Sequence, residues 1–526
     1  MNLLHSLVEN SAQRVPERVA LCARDSAITY AELWQELTNI GQGLAGLGLG
    51  RQDRIAVYLP KQKEAVTAMF AASFSAAVFV PINPVLKAAQ VRHILQDSGA
   101  RMLVTNSSRL ASLTQDLGQC PSLSHVLLVG SEEFEHTPGV TVVPWAELDS
   151  APNRSVTGVV DADVAAILYT SGSTGKPKGV VLSHRNMVSG AQSVASYLRN
   201  VEDDCLLAAL PFSFDYGFSQ LSTAFLVGAR VALMDYLVPR DILMAAQRFG
   251  VTGLAAVPPL WIQLAKLNWP QDVVQNLRYL TNSGGAMPQT TLRRLREALP
   301  STKVFLMYGL TEAFRSTYLP PEQVDLRPTS IGKSIPNAEI LVVRPDGSEC
   351  ASGEPGELVH RGVHVALGYW NDPDRTAQRF RPTPGRPAEL PISELAVWSG
   401  DTVQKDDEGY LYFVGRHDEM IKTSGYRVSP SEIEEAVYGT DMVAEVVAIG
   451  VQHPILGQAI VVAAVAPAPD ESKTVALLAA LRRELPAYMI PAHVEWFHSL
   501  PRNPNGKIDR KALAQRFASL FEDGRV

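Results

Sequence analysis

Tyr169-Thr-Ser-Gly-Ser-Thr-Gly-Lys-Pro-Lys-Gly179 follows directly on the apolar run Val164-Ala-Ala-Ile-Leu-Tyr-Thr170. A strand that ends in glycines, hydroxyls and two lysines describes a loop able to wrap a polyphosphate. Glycines let backbone N–H groups approach an anion, hydroxyls add hydrogen bonds and lysines neutralise charge. The run is not a Walker loop. That motif needs glycine five residues before its Gly-Lys pair and Ser or Thr after it, and Thr170 and Pro177 stand in those places. A short Gly/Ser string is by default a surface turn, so the flanking chain has to decide.

The same rhythm recurs on both sides. Arg54-Ile-Ala-Val-Tyr-Leu59 and Ala77-Val-Phe-Val-Pro81 lie upstream, Ala229-Arg-Val-Ala-Leu-Met234 and Val304-Phe-Leu-Met-Tyr308 downstream. With amphipathic helical segments between them, they predict an α/β fold of two layered subdomains that binds ligands at strand ends. From about Ser330 the pattern changes to hairpins. Glu339-Ile-Leu-Val-Val-Arg344 and Gly356-Glu-Leu-Val-His360 flank the turn Pro345-Asp-Gly-Ser348, predicting a small β-rich, barrel-like subdomain. Past Tyr410-Leu-Tyr-Phe-Val-Gly-Arg416, Ser429-Pro-Ser-Glu432 reads as a capping box with proline at the first helical position. A new unit is expected near residue 416, dividing the chain into residues 1–415 and a compact α+β module of residues 416–526.

At 526 residues the chain exceeds what one core serves, and 46% hydrophobic with 19% charged residues is ordinary for a globular protein. A net charge of -7 gives no long-range attraction toward nucleic acid or anionic lipid, so any phosphate needs a local site. Cys22, Cys120, Cys205 and Cys350 lie far apart without the Cys/His pairing of zinc sites, and read as reduced, mostly buried thiols. Met-Asn-Leu-Leu-His-Ser at the start has no basic segment leading into a long apolar core, so a cytoplasmic location is expected. Ala65 to Ile82 carries no charge over a length that raises the question of a membrane span. Its Thr67, Ser73, Ser75, alanines and Pro81 predict a buried helix followed by a short strand, with no membrane span.

The eleven residues from Tyr169 to Gly179 resemble the phosphate-binding signature of the AMP-forming adenylate-forming enzymes, the superfamily of acyl-CoA synthetases, peptide-synthetase adenylation domains and luciferases. Further strings follow in order. Ser283-Gly-Gly-Ala-Met-Pro288 resembles the family's adenine-side loop, and Met307-Tyr-Gly-Leu-Thr-Glu312 its strand-end motif. Trp398-Ser-Gly-Asp401 is similar to the usual Thr-Gly-Asp with serine for threonine, and Gly415-Arg-His-Asp-Glu-Met-Ile-Lys-Thr-Ser-Gly-Tyr-Arg427 to the interdomain junction. Leu485-Pro-Ala-Tyr-Met-Ile-Pro491 and Pro501-Arg-Asn-Pro-Asn-Gly-Lys-Ile-Asp-Arg510 complete the set. As a whole the chain is also similar to bacterial acyl-CoA ligases found with exosortase genes, a likeness that no single motif carries.

The resemblance implies a large N-terminal domain and a small mobile C-terminal domain. It assigns the phosphates of ATP to Thr170, Ser171, Gly172, Ser173, Thr174, Gly175, Lys176 and Lys178, and the rest of the nucleotide to Gly284, Gly285, Ala286, Tyr308, Gly309 and Thr311. Asp401 and Arg416 would bind the ribose, Glu312 would hold Mg2+, Asp418 would be the hinge, and Lys507 the mobile catalytic lysine, with Thr170 and Glu312 sharing in catalysis. A carboxylate is a poor electrophile that ATP repels; attack on the α-phosphorus converts it to an acyl-adenylate, and charge growing on the phosphoryl oxygens needs preorganised positive charge. A thiol then displaces AMP, and Gly425 matches the glycine that leaves room for its channel.

The acid is read from Pro211-Phe-Ser-Phe-Asp-Tyr-Gly-Phe-Ser219, where Phe214-Asp215 lies in the expected acyl pocket. Acyl-CoA synthetases commonly carry His where Phe214 stands, whereas amino-acid-adenylating domains carry Phe-Asp, the Asp pairing with the substrate's amino group; both readings stay open. With no carrier domain after Lys507, the expected acceptor is coenzyme A, then a separate acyl carrier protein. A non-catalytic nucleotide or acyl binder is the rival, opposed by the presence of Lys507, Glu312, Asp401 and Arg416; a P-loop ATPase fails on Pro177.

Overall fold

The computed structural model describes residues 3–130, 139–150, 158–170, 176–385, 387, 389–391, 393–416, 420–466, 471–501 and 508–521, the side chains of 149, 150, 416, 431 and 471 excepted. Of the predicted site residues, Ser171, Gly172, Ser173, Thr174, Gly175, Asp418 and Lys507 lie outside the described residues.

Short, nearly continuous apolar runs build parallel strands buried on both faces. In the first sheet Ile55, Ala56, Phe79, Leu103 and Ala166 are fully enclosed. Its spatial order is Gly368–Tyr369, Lys178–Ser183, Val164–Thr170, Val78–Pro81, Arg54–Val57, Met102–Asn106, His125–Val129 and Thr141–Pro144. All pairs are parallel except the two formed by Lys178–Ser183. The second sheet runs through Val19–Cys22, Arg230–Leu233, Cys205–Ala208, Gly253–Ala256, Tyr279–Asn282 and Lys303–Tyr308 in parallel. At Thr317–Leu319 it turns antiparallel and continues into Ser330–Ser334, Leu411–Arg416, Leu395–Lys405, Gly356–Gly362 and Ala338–Val343. The predicted β-rich subdomain is thus joined edge to edge with the second α/β layer. A third sheet is formed by Tyr426–Val428, Ile421–Thr423, Gly457–Val465, Glu445–His453 and, parallel to Gly457–Val465, His493–Phe497.

The architecture is therefore α/β: a large N-terminal part with two layered sheets and a β-rich extension, and a small α+β C-terminal part. The uncharged stretch at residues 65–82 is the buried helix Lys63–Phe74 followed by the strand Val78–Pro81. Small residues let that helix lie close to Tyr30–Gly46: a Cβ on Gly41 would come within 2.6 Å of the Phe74 ring. Among the described residues no helix is long and apolar enough to cross a membrane. The four cysteines are free, and all but Cys22 are buried.

One local expectation is corrected. Ser429 does precede a helix opened by Pro430, but its side chain makes no capping bond. Glu432 is held against Gln90 and Glu435 in a desolvated setting, so its carboxyl does not close the box. Tertiary packing decides the helix start here.

Candidate active site

The first sheet aims its antiparallel hairpin at the site. Thr170 and Lys178 face each other in register, so the glycine-rich loop is the connection between two strand ends. The Thr170 hydroxyl is buried without a hydrogen-bond partner among the described residues, a donor waiting for an acceptor. Lys176 is exposed, whereas Lys178 turns inward.

Lys178 Nζ lies 3.0 Å from Glu312 Oε1 and 2.6 Å from the Tyr369 hydroxyl, which itself donates to Glu312 Oε1 at 2.6 Å. Glu312 is 1% exposed. Burial pushes its pKa up, but the positive charges of Lys178, Arg379 and Arg427 and the Tyr369 bond outweigh that and hold it well below the usual carboxylate range. Burial in turn lowers Lys178, opposed by Glu312. Three cations around one carboxylate make a site with positive charge to spare, suited to phosphates. Glu312 is also a single carboxylate of the kind that, with phosphate oxygens, makes the oxygen donor set Mg2+ takes. Among the described residues no cluster of three or more His, Cys, Asp or Glu side chains could hold a metal by itself.

The second sheet supplies the other wall. Gly284 (φ +83) and Gly285 follow the strand Tyr279–Asn282, and Asn282 Nδ2 holds the Gly285 carbonyl at 2.9 Å, placing Ala286 just beyond. Tyr308 ends the strand Lys303–Tyr308 and donates to the buried carboxylate of Asp401. Asp401 and Arg416 are cross-strand partners, so the two residues assigned to the ribose sit opposite each other on the ladder. Gly309 turns the chain close to Arg315, a Cβ there being 3.2 Å from the Arg315 Cα.

Thr311 donates to Asp215 Oδ1 at 3.2 Å, and Arg315 donates to Asp215 Oδ2 at 2.9 Å. Burial pushes the Asp215 carboxyl up, with the Arg315 guanidinium opposing it. Phe214 packs edge-on against Tyr426 at 5.1 Å between centroids, and Tyr426 stacks on Tyr488 at 3.7 Å. Gly425 (φ +83) lies against Val257, whose Cγ2 would be 2.8 Å from a Cβ at that position. A cavity of about 250 Å3 beside this loop is lined by Leu59, Met69, Pro81, Pro211, Ser213 and Tyr426.

Tyr369, Arg315, Arg379 and Arg427 escaped the sequence reading. Arg427 closes one of the quoted strings, and Arg315 follows Glu312 by three residues, its place just beyond the strand-end motif being the one visible signal. Nothing local marks Tyr369 or Arg379.

Residues 8–370 match the model of the AMP-binding enzyme family, and residues 432–507 that of the AMP-binding enzyme C-terminal domain. The chain is 31% identical over 530 residues to a linear gramicidin synthase of Brevibacillus parabrevis, covering 99% of this chain and 6% of that protein. It is 31% identical over 529 residues to delta-poly-L-ornithine synthetase of Acinetobacter baumannii, covering 98% of this chain and 37% of that one. It therefore spans only a small part of these relatives. Among solved structures, a double mutant of the o-succinylbenzoate CoA synthetase of Bacillus subtilis bound to its product analogue is 27% identical, with a TM-score of 0.81 over 96% of this chain and 97% of that one. The same enzyme with its acyl-adenylate intermediate gives 0.67 over the same shares, again at 27% identity. With one family model matching more than half of its length and the second matching its C-terminal part, this chain belongs to the family of AMP-binding, adenylate-forming enzymes.

Proposed function

We propose that the chain activates a carboxylic acid as its acyl-adenylate and transfers the acyl group to coenzyme A, with a separate carrier protein as the alternative acceptor. The observation that carries the choice of a thiol acceptor is the seat of Gly425 against Val257, beside Gly284. The glycine loop of the C-terminal part thereby faces the adenylate site, with Tyr426 bordering the cavity that we assign to the thiol arm. The two o-succinylbenzoate CoA synthetase structures support this: the chain fits the one holding a coenzyme A product analogue better than the one holding the adenylate.

In the first step the chain's residues bind and orient. Lys178, Arg379 and Arg427 offer positive charge to phosphates, the Thr170 hydroxyl offers a donor, and Asp401 with Arg416 takes the ribose. Glu312 would hold Mg2+, which would supply neutralisation of phosphate charge. Lys507 bridges the carboxylate and α-phosphate in this proposal, and rotation at Asp418, near the boundary at residue 416, exchanges Lys507 for the Gly425 loop. The cytoplasm is the proposed location.

A second reading, activation of an amino acid for a carrier protein, is favoured by Asp215 and by the peptide-synthetase relatives. Against it, Arg315 already occupies one oxygen of Asp215. Acid-dependent pyrophosphate release with ATP and Mg2+, followed by thioester formation on adding coenzyme A, tests the proposal. Lys507→Ala should lower the first signal by about 100-fold or more, the scale on which a preorganised charge contributes. Acyl-AMP that never becomes a thioester with coenzyme A would reject the acceptor.

A further inference from the structure

Arg315 is 2% exposed and Asp215 14%, so the guanidinium lies deeper than the carboxylate it pairs with. Arg315 Nη1 serves Asp215 Oδ2 at 2.9 Å and the Phe314 carbonyl at 3.2 Å. Its Nε and Nη2 are buried and have no hydrogen-bond partner among the described residues. The surroundings are aromatic: the Tyr216 ring centroid is 4.5 Å away and that of Phe314 5.9 Å. The Tyr197 hydroxyl, which bonds the Met307 sulfur at 3.1 Å, interacts with the guanidinium by charge and a weak hydrogen-bonding contact that does not satisfy Nε or Nη2. Buried donors without acceptors are costly, and an arginine that keeps two of them is poised for a partner.

The backbone is bent to place this side chain. Phe314 adopts φ 54 and ψ -50, a conformation that non-glycine residues rarely hold. Its ring fills the space opposite Gly190, where a Cβ would lie 2.3 Å from Phe314 Cδ1. The pair is tied to the adenylate residues, because Thr311, which donates to Asp215, immediately precedes Glu312.

We propose that Arg315, balanced by Asp215, reads a second oxygen acceptor on the acid, so that the substrate is a carboxylic acid bearing a carbonyl, hydroxyl or further carboxylate on its acyl part. This rests on the carboxylate-activation reading above. The unpartnered donors decide the class. The ammonium of a simple α-amino acid has no acceptor to offer them, and a plain hydrocarbon chain leaves both dry. An oxygen acceptor satisfies them, and the planar fork of arginine suits carbonyl and carboxylate oxygens.

The test compares pyrophosphate release by the full chain across length-matched plain, oxo, hydroxy, dicarboxylic and α-amino acids, with melting shifts for the same acids read in parallel. Wild type should prefer at least one oxygen-bearing class over its plain counterpart by about tenfold or more in kcat/KM, since sites built around a polar group reject analogues lacking it. Replacing the pair together, Asp215→Asn with Arg315→Met, removes both charges without stranding either, and should collapse that preference between oxygen-bearing and plain acids. Wild-type preference for plain or α-amino acids, or a preference untouched by the double substitution, would overturn the subsite. If no acid released pyrophosphate, selective melting shifts lost in the double variant would uphold the subsite and reject activation, and absence of such shifts would overturn both.

Discussion

Glu312 is buried and Glu432 half-buried, and their neighbours send the two carboxyls in opposite directions. Glu312 meets three cations and a tyrosine hydroxyl, which outweigh desolvation and keep it ionised. Glu432 meets burial and the like charge of Glu435, which a bond with Gln90 only partly relieves, so it is pushed up to about 8; Tyr488 also feels its charge. The consequence for stability has a definite sign. Between the ordinary glutamate value of 4.5 and about 8 the folded chain holds a proton on Glu432 that the unfolded chain has released, so stability falls as pH rises through that window. Glu432→Gln keeps the neutral shape and removes the titration. Its melting temperature should match wild type near pH 4.5 and exceed it at pH 8, measured by thermal denaturation in matched buffers. An equal gap at both pH values would show that the carboxyl does not titrate in this setting.

At the scale of elements, the helix Asp215–Val227 shows how tightly the acyl side is built. A Cβ at Gly217 would lie 2.0 Å from the Pro211 carbonyl oxygen, and backbone cannot swing aside as a side-chain tip can. Gly217→Ala should therefore cost about 1–3 kcal/mol in chemical denaturation, the usual range for overpacking, and should shift Phe214 and Asp215, which lie just before it in the turn. The strands on either side of the site are legible in the sequence because each is a short apolar run leading into Gly, Ser or Thr: the run at Val164–Thr170 is the strand itself, and that at Lys303–Tyr308 matches to within one residue. The motif strings single out Thr170, Glu312, Asp401 and Gly425 as candidates for the same local reason. Tyr369 is illegible because it reaches Glu312 from 57 residues away and Lys178 from 191. Such contacts are set by the path of the chain between sheets. Ser429 fails in the opposite way, its local capping pattern being overridden by packing of Glu432.

Across the whole molecule, the decisive contact is between the turn joining the strands Ile421–Thr423 and Tyr426–Val428 of the small C-terminal sheet and the second large sheet, where Gly425 meets Val257 and Gly284. Gly425 is constrained twice there. Its φ of +83 favours glycine, and any side chain would start within 2.8–3.1 Å of three Val257 atoms. If this arrangement serves the thiol step and a rotated one serves adenylation, a bulky residue at 425 penalises only the first. Gly425→Leu should leave acid-dependent pyrophosphate release within about threefold of wild type while lowering thioester formation by about 100-fold, because a gap of ~2.7 kcal/mol between the two states is enough for that ratio. The two half-reactions can be read separately, by pyrophosphate release without thiol and by thioester yield from preformed acyl-AMP. Parallel loss of both would mean that Gly425 supports the fold of the C-terminal unit in every state; retention of both would move the thiol path away from Val257.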